Sequence, residues 1–120
     1  MHELSIAQNI VETVNQYVPN VRNNSVKSVR LRIGELSGVV ADSLEFCFSA
    51  ITADTPLSGT TLEIERIPYT LHCLPCDKVF TSELGVVLCP ACGGNNTRVV
   101  DGIEMRVVEI ELNDGELKEH

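Results

Sequence analysis

The sequence predicts an α+β fold, a small three-stranded sheet with two helices, into which a cysteine-rich ribbon is inserted. Two segments place apolar residues at three- and four-residue steps, and three others have strand composition. A stretch holding four paired cysteines separates the second of these strands from the third.

Ala7, Ile10, Val11, Val14 and Val18 fall on one face of a first helix, which Pro19 stops because it lacks an N–H and its ring clashes with the preceding turn. Ser5 followed by Gln8 reads as a capping box. That cap leaves Met1, His2 and Glu3 outside the first turn. Ser28 to Ile33 alternates, with Val29, Leu31 and Ile33 on one side and Ser28, Arg30 and Arg32 on the other, as a half-buried strand that Gly34 ends. A second helix is predicted from about Ser43 to Ala53 on Leu44, Cys47, Phe48 and Ile51, with Asp42 and Glu45 as its cap. Thr60 to Ile67 alternates again and Pro68 marks its boundary. Ile103 to Leu112 resumes strand composition, with Met105 and Val107 on one face and Val108, Ile110 and Leu112 on the other. The strands around the insertion are expected to pair and to carry both helices on one face. The domains are therefore read as 1-68, the first part of the α+β domain; 69-102, the insertion; and 103-120, the final strand with an acidic tail.

At 120 residues and 43% hydrophobic composition, the chain has enough apolar surface for a modest core. No apolar run approaches the roughly 18–20 residues of a membrane span, and the start lacks the basic and apolar stretches of a signal peptide. A soluble, cytoplasmic protein is expected. Seventeen acidic against nine basic residues give a formal charge of −8, which repels phosphate backbones and argues against nucleic acid as a partner.

The most specific signal is Cys73 and Cys76, then Cys89 and Cys92, in HCLPC…LCPACG. Each Cys-x-x-Cys loop aims two thiolates at one metal, and two loops complete a tetrahedron with zinc–sulfur bonds of about 2.3 Å. Four protein thiolates leave no open position, so Zn(II) here would be structural and the insertion a zinc-ribbon domain. A thioredoxin-type dithiol needs only one pair in a βαβ setting, and a rubredoxin-like iron site would be poorly supplied with aromatics by Tyr69 and Phe80. A nucleic-acid ribbon would need a basic face, which Lys78 and Arg98 against Asp77, Glu83 and Asp101 do not supply. Cys47, on the apolar face of the second helix, reads as a core residue.

The amino end offers a second donor set. Methionine before histidine is not trimmed, so the Met1 amine and the His2 amide nitrogen would close one chelate ring and the His2 imidazole a second. Amine, deprotonated amide and imidazole favour Ni(II) or Cu(II) over zinc, and Glu3 adds oxygen coordination or balances charge. Protons compete for such a site. No nucleophile with an organising base, catalytic carboxylate pair or phosphate loop is evident, so no enzyme is expected.

MHE at the amino end, RIGELSGV after the first helix, the paired CxxC motifs and the late GIEMRVVEIE strand together closely resemble the HypA/HybF family of hydrogenase-maturation nickel metallochaperones. The resemblance spans essentially the whole chain. It implies a nickel-binding α+β domain joined to a zinc ribbon, with Met1, His2 and Glu3 around nickel and Cys73, Cys76, Cys89 and Cys92 around zinc. It also implies a hydrogenase-maturation GTPase and the large subunit of [NiFe] hydrogenase as partners, with urease maturation proteins as further ones and a homodimer as a compatible state. Some members carry another acidic ligand after the GE motif; here that loop reads GVVADSL, and Asp42 is its nearest match, but capping the second helix explains it about as well and it is left out of the ligand set. The rival reading is a non-catalytic acidic zinc-ribbon adaptor that binds only protein.

Overall fold

The computed structural model describes residues 3–19, 25–83 and 85–119. Helix α1 (Glu3–Tyr17) leads into strand β1 (Val26–Gly34), helix α2 (Ala41–Thr52) and strand β2 (Thr61–Ile67). Three short strands follow, β3 (Tyr69–Cys73), β4 (Lys78–Ser82) and β5 (Thr97–Asp101), before β6 (Met105–Leu112) and β7 (Leu117–Glu119). The strands form two sheets, one ordered β2-β1-β6-β7 and the other β4-β3-β5.

The first sheet is the predicted α+β layer with one strand more. β1 runs parallel to β2 and antiparallel to β6. The strands that flank the insertion therefore do not pair with each other, because β1 lies between them. The crossover through α2 delivers β2 parallel to β1, as a βαβ connection requires. The extra strand, β7, comes from the stretch read as an acidic tail, where Asn113–Glu116 turns the chain back so that Lys118 pairs with Ile110.

The helices share one core with this sheet. Ile6, Ala7, Ile10 and Val14 of α1 and Leu44 and Phe48 of α2 pack with Val29, Leu31, Ile33, Val107 and Ile110. Two β-bulges make that possible. Lys27 and Val108 are skipped in the β1–β6 register, and each skip reverses the inward phase of its strand. Met105, Val107, Ile110 and Leu112 consequently all meet the core, instead of dividing between two faces as their spacing suggests. The opposite face is charged: Arg30 approaches Glu63 and Glu109, each at 3.9 Å, and Arg32 approaches Glu65 at 3.6 Å.

Both predicted caps are displaced. α1 begins at Glu3, so Ser5 lies inside the helix and Glu3 within its first turn. α2 begins at Ala41 with Val40 in an extended N-cap conformation and no side-chain cap, so Asp42 is a first-turn residue without a capping role. The Glu3 carboxylate accepts the Val40 N–H at 3.3 Å, tying the start of one helix to the start of the other.

Both chain crossings between the sheets run past Gly34. Gly34 N–H donates to the Glu104 carbonyl at 2.9 Å, Glu35 N–H to Ile67 at 2.9 Å and Leu36 N–H to Gly102 at 3.0 Å. A Cβ on Gly34 would stand 2.2 Å from the Gly102 carbonyl carbon, and one on Gly102, at φ +97°, would stand 2.4 Å from Pro68 O. These contacts are with backbone, which cannot swing aside.

Candidate metal centre

The second sheet presents the four paired cysteines. Cys73 ends β3, and the turn to β4 carries Cys76 and closes at Asp77, whose φ of +52° is a left-handed conformation that aspartate tolerates. The second loop is tighter. Gly93 N–H donates to the Cys89 carbonyl at 2.7 Å and Cys89 N–H to the Gly94 carbonyl at 2.9 Å, with Gly93 at φ +71°. The loops are held together by Leu74 N–H donating to Asn96 O at 3.1 Å, so the sulfurs converge.

The Sγ atoms of Cys73, Cys76, Cys89 and Cys92 all lie within 4.8 Å of one another, and those of Cys73 and Cys92 are 3.7 Å apart. A tetrahedron with metal–sulfur bonds of about 2.3 Å has edges of about 3.8 Å. The donor set therefore fits one tetrahedral ion. Cys73 and Cys89 are buried, Cys76 is half-buried and Cys92 is exposed, which leaves one side of the cluster near solvent.

Backbone donors and crowding set the thiol chemistry. The Cys92 N–H lowers the Cys89 thiol to about 7, against the opposing effect of burial and with help from the Ala91 N–H. The Cys76 thiol is pushed up to about 12, first by the Cys92 and Cys73 sulfurs that share its proton and then by burial. At Cys73 the Cys76 N–H favours the thiolate, but burial and the Cys89 and Cys92 sulfurs prevail and raise the pKa. Thiols this crowded lose protons most readily to a cation placed among them. Outside the cluster, His72 Nε2 lies 2.8 Å from Asp77 Oδ1, bracing the first loop from its outer side.

Of the amino-terminal donor set, Met1 and His2 lie outside the described residues. Glu3 is half-buried, and with Leu4, Asp42, Ser43, Phe46 and Cys47 it lines a shallow depression between the two helix starts. Asp42 is thus brought beside Glu3 by the packing of α1 on α2. Cys47 packs partly against the core, as its place on the apolar face of α2 suggests. Two features were missed in the sequence: the exposure of Phe46 and the interlocking of Gly34 with Gly102. The glycine in RIGELSG was the one available sign of the second.

The sequence model of a family described as hydrogenase/urease nickel incorporation, metallochaperone, hypA matches residues 1–112. A hydrogenase maturation factor HypA from Geobacter metallireducens is 47% identical over 112 residues, covering 93% of this chain and 99% of that protein. One from Streptomyces avermitilis is 38% identical over 117 residues, covering 96% and 89%. Among solved structures, that of the Ni metallochaperone HypA from Helicobacter pylori is similar in fold, with a TM-score of 0.64 and 23% identity over 93% of this chain and 97% of that one. Matched across residues 1–112 and aligned with relatives over nearly their full lengths, this chain belongs to the HypA family, nickel-incorporation metallochaperones of hydrogenase maturation rather than enzymes.

Proposed function

We propose that this chain captures Ni(II) at its amino end through the Met1 amine, His2 and Glu3, and hands it on for [NiFe] hydrogenase maturation. A structural Zn(II) would be held by Cys73, Cys76, Cys89 and Cys92, with residues 69–102 acting as one metal-dependent domain. The observation that carries this reading is the family match over residues 1–112, a span that includes the MHE opening. Bound zinc would supply a closed, redox-inert cross-link. The chain's own part there is to aim four sulfurs and to keep backbone N–H groups on Cys73 and Cys89.

The early start of α1 changes the electrostatics of the nickel arm. The positive end of a helix repels a cation, and Glu3 in the first turn opposes it with a carboxylate. Asp42, exposed and free of capping duty, is a further oxygen donor at the same depression. Protons compete with nickel for the amine and the imidazole, near about 7.7–8.0 and 6.5 in model peptides, so release is favoured on the acid side. An acceptor with stronger ligands would complete the transfer. The hydrogenase-maturation GTPase and the large subunit of [NiFe] hydrogenase are the proposed recipients, with urease maturation proteins as further ones and the cytoplasm as the place of transfer.

Calorimetric titration of nickel into zinc-loaded protein with a free amino terminus tests the donor set. One tight site per chain, lost in His2→Ala with the helical circular-dichroism signal preserved, is the expected result. Unchanged nickel binding in His2→Ala would reject the donors, and absence of any nickel site in the parent protein would leave the protein-binding adaptor as the better reading.

A further inference from the structure

Helix α2 carries two phenylalanines with opposite fates. Phe48 is 1% exposed in the core, whereas Phe46 is 75% exposed, the highest value among the described large apolar side chains. The helical period explains the difference. α2 buries Ala41, Leu44, Phe48 and Thr52, and Phe46 falls on the face that turns away from them. Its neighbours one turn away, Ser43, Ser49 and Ala50, are small and exposed, so the ring stands clear of its own helix.

The surroundings are apolar at the centre and acidic at the rim. Leu4 and Val40 are 47% and 56% exposed, and Leu4 lines the same depression as Phe46. Glu3 and Asp42 line that depression, and Glu45, next to Phe46 in sequence, is exposed on the same helix. Among the described residues neither Asp42 nor Glu45 forms an ion pair. An exposed aromatic beside acidic residues that form no ion pair among the described residues is the composition of a protein-binding surface.

We propose that Phe46 anchors the docking surface for the protein that receives nickel, and that this acceptor offers an apolar pocket rimmed by lysine or arginine. Charge complementarity selects that occupant. A second copy of the chain meeting this face symmetrically would bring the same acids against one another, and an anionic surface would be repelled likewise. The surface adjoins Glu3, so docking would bring the acceptor to the metal donors while Phe46 itself takes no part in holding the ion. The inference rests on the nickel reading only for the identity of the acceptor.

The test uses zinc-loaded, nickel-free full-length chain and the purified hydrogenase-maturation GTPase of the same organism, with binding followed by interferometry. Phe46→Ala is expected to weaken association about 10- to 100-fold, as loss of an interface anchor does, while leaving the nickel titration and helix content unchanged. Glu45→Lys is expected to weaken it several-fold at low salt, with the difference vanishing near roughly 0.5 M salt. Association unaltered by Phe46→Ala, no association of the parent chain, or no effect of Glu45→Lys at low salt would each overturn the proposal. So would a parent dimer in sedimentation that Phe46→Ala dissociates, since the surface would then be self-complementary. Phe46-dependent docking by a chain that binds no nickel would uphold the surface and reject the nickel reading alone.

Discussion

The two sheets of this chain are held together by different physics. Among the described residues, the helix-bearing sheet and its helices bury a core cluster of fourteen apolar side chains, including Ile10, Leu31 and Phe48. The cysteine-bearing sheet, between Tyr69 and Asp101, buries only Tyr69, Leu71, Cys73 and Cys89 among the described residues. A region with so little apolar burial does little to offset the entropy of ordering its backbone, and a metal held by its four sulfurs would supply the difference. One chain would thus combine a hydrophobic core with a core made of ligands.

The largest effect should come from removing the ligands. Cys73→Ser is expected to take bound zinc from one to zero per chain and to abolish amide protection over residues 69–102, because four-thiolate zinc binding is worth roughly 10–16 kcal/mol in small peptides. Amides of β1 and α1 should keep most of their protection. Equal loss in both regions, read by hydrogen exchange, would end the division between them. The reciprocal change is Phe48→Ala, which opens a cavity in the helix-bearing core and should cost about 3–5 kcal/mol in urea unfolding, with zinc content unchanged.

A substitution at the junction should affect both regions. Gly102→Ala puts a methyl group 2.4 Å from Pro68 O and Tyr69 Cα at a backbone angle that alanine disfavours, for a cost of about 2 kcal/mol or more. Protection should fall at Leu36 and Gly34, whose N–H groups reach across the junction, as well as in β3. A change confined to one sheet would show the crossings to be independent tethers.

The smallest effect is a change of slope. Below pH 7 the Cys73, Cys76 and Cys89 thiols are all protonated, so an entering zinc ion must displace each proton. Above pH 7 Cys89 has already lost its own, while the raised Cys76 keeps its proton toward about 12. Zinc affinity, and the stability it confers, should therefore rise with pH, and should rise less steeply above pH 7 by about one proton. Dye-competition titrations across pH 6–9 measure this, and a constant slope would remove the special role of the Cys92 and Ala91 N–H groups.

Much of this architecture was legible in local pattern. Ala7, Ile10 and Val14 marked the buried face of α1, and Val29, Leu31 and Ile33 that of β1, because a helix or strand with one dry face has only one phase available to it. Cys73, Cys76, Cys89 and Cys92 announced their convergence by spacing. Errors arose where the decisive partner was distant in sequence. Ser5 and Gln8 formed a plausible cap, yet the Glu3 carboxylate engages Val40 across the helix pair and α1 starts earlier. The β6 spacing suggested two faces, because a bulge at Val108 exists only in relation to β1. Residues 117–119 looked like a charged tail until β6 provided an edge for them.

Local pattern was enough for the apolar faces, the order of the main elements and the donor type and pairing of the four thiols, since periodicity and donor type are properties of neighbouring residues. Tertiary structure alone decided which strand lies between which, how Gly34 and Gly102 lock the two sheets, and that Asp42 and Phe46 stand beside Glu3. Those outcomes depend on the packing of α1 against α2 and on backbone approaches between segments dozens of residues apart, where no local rule operates.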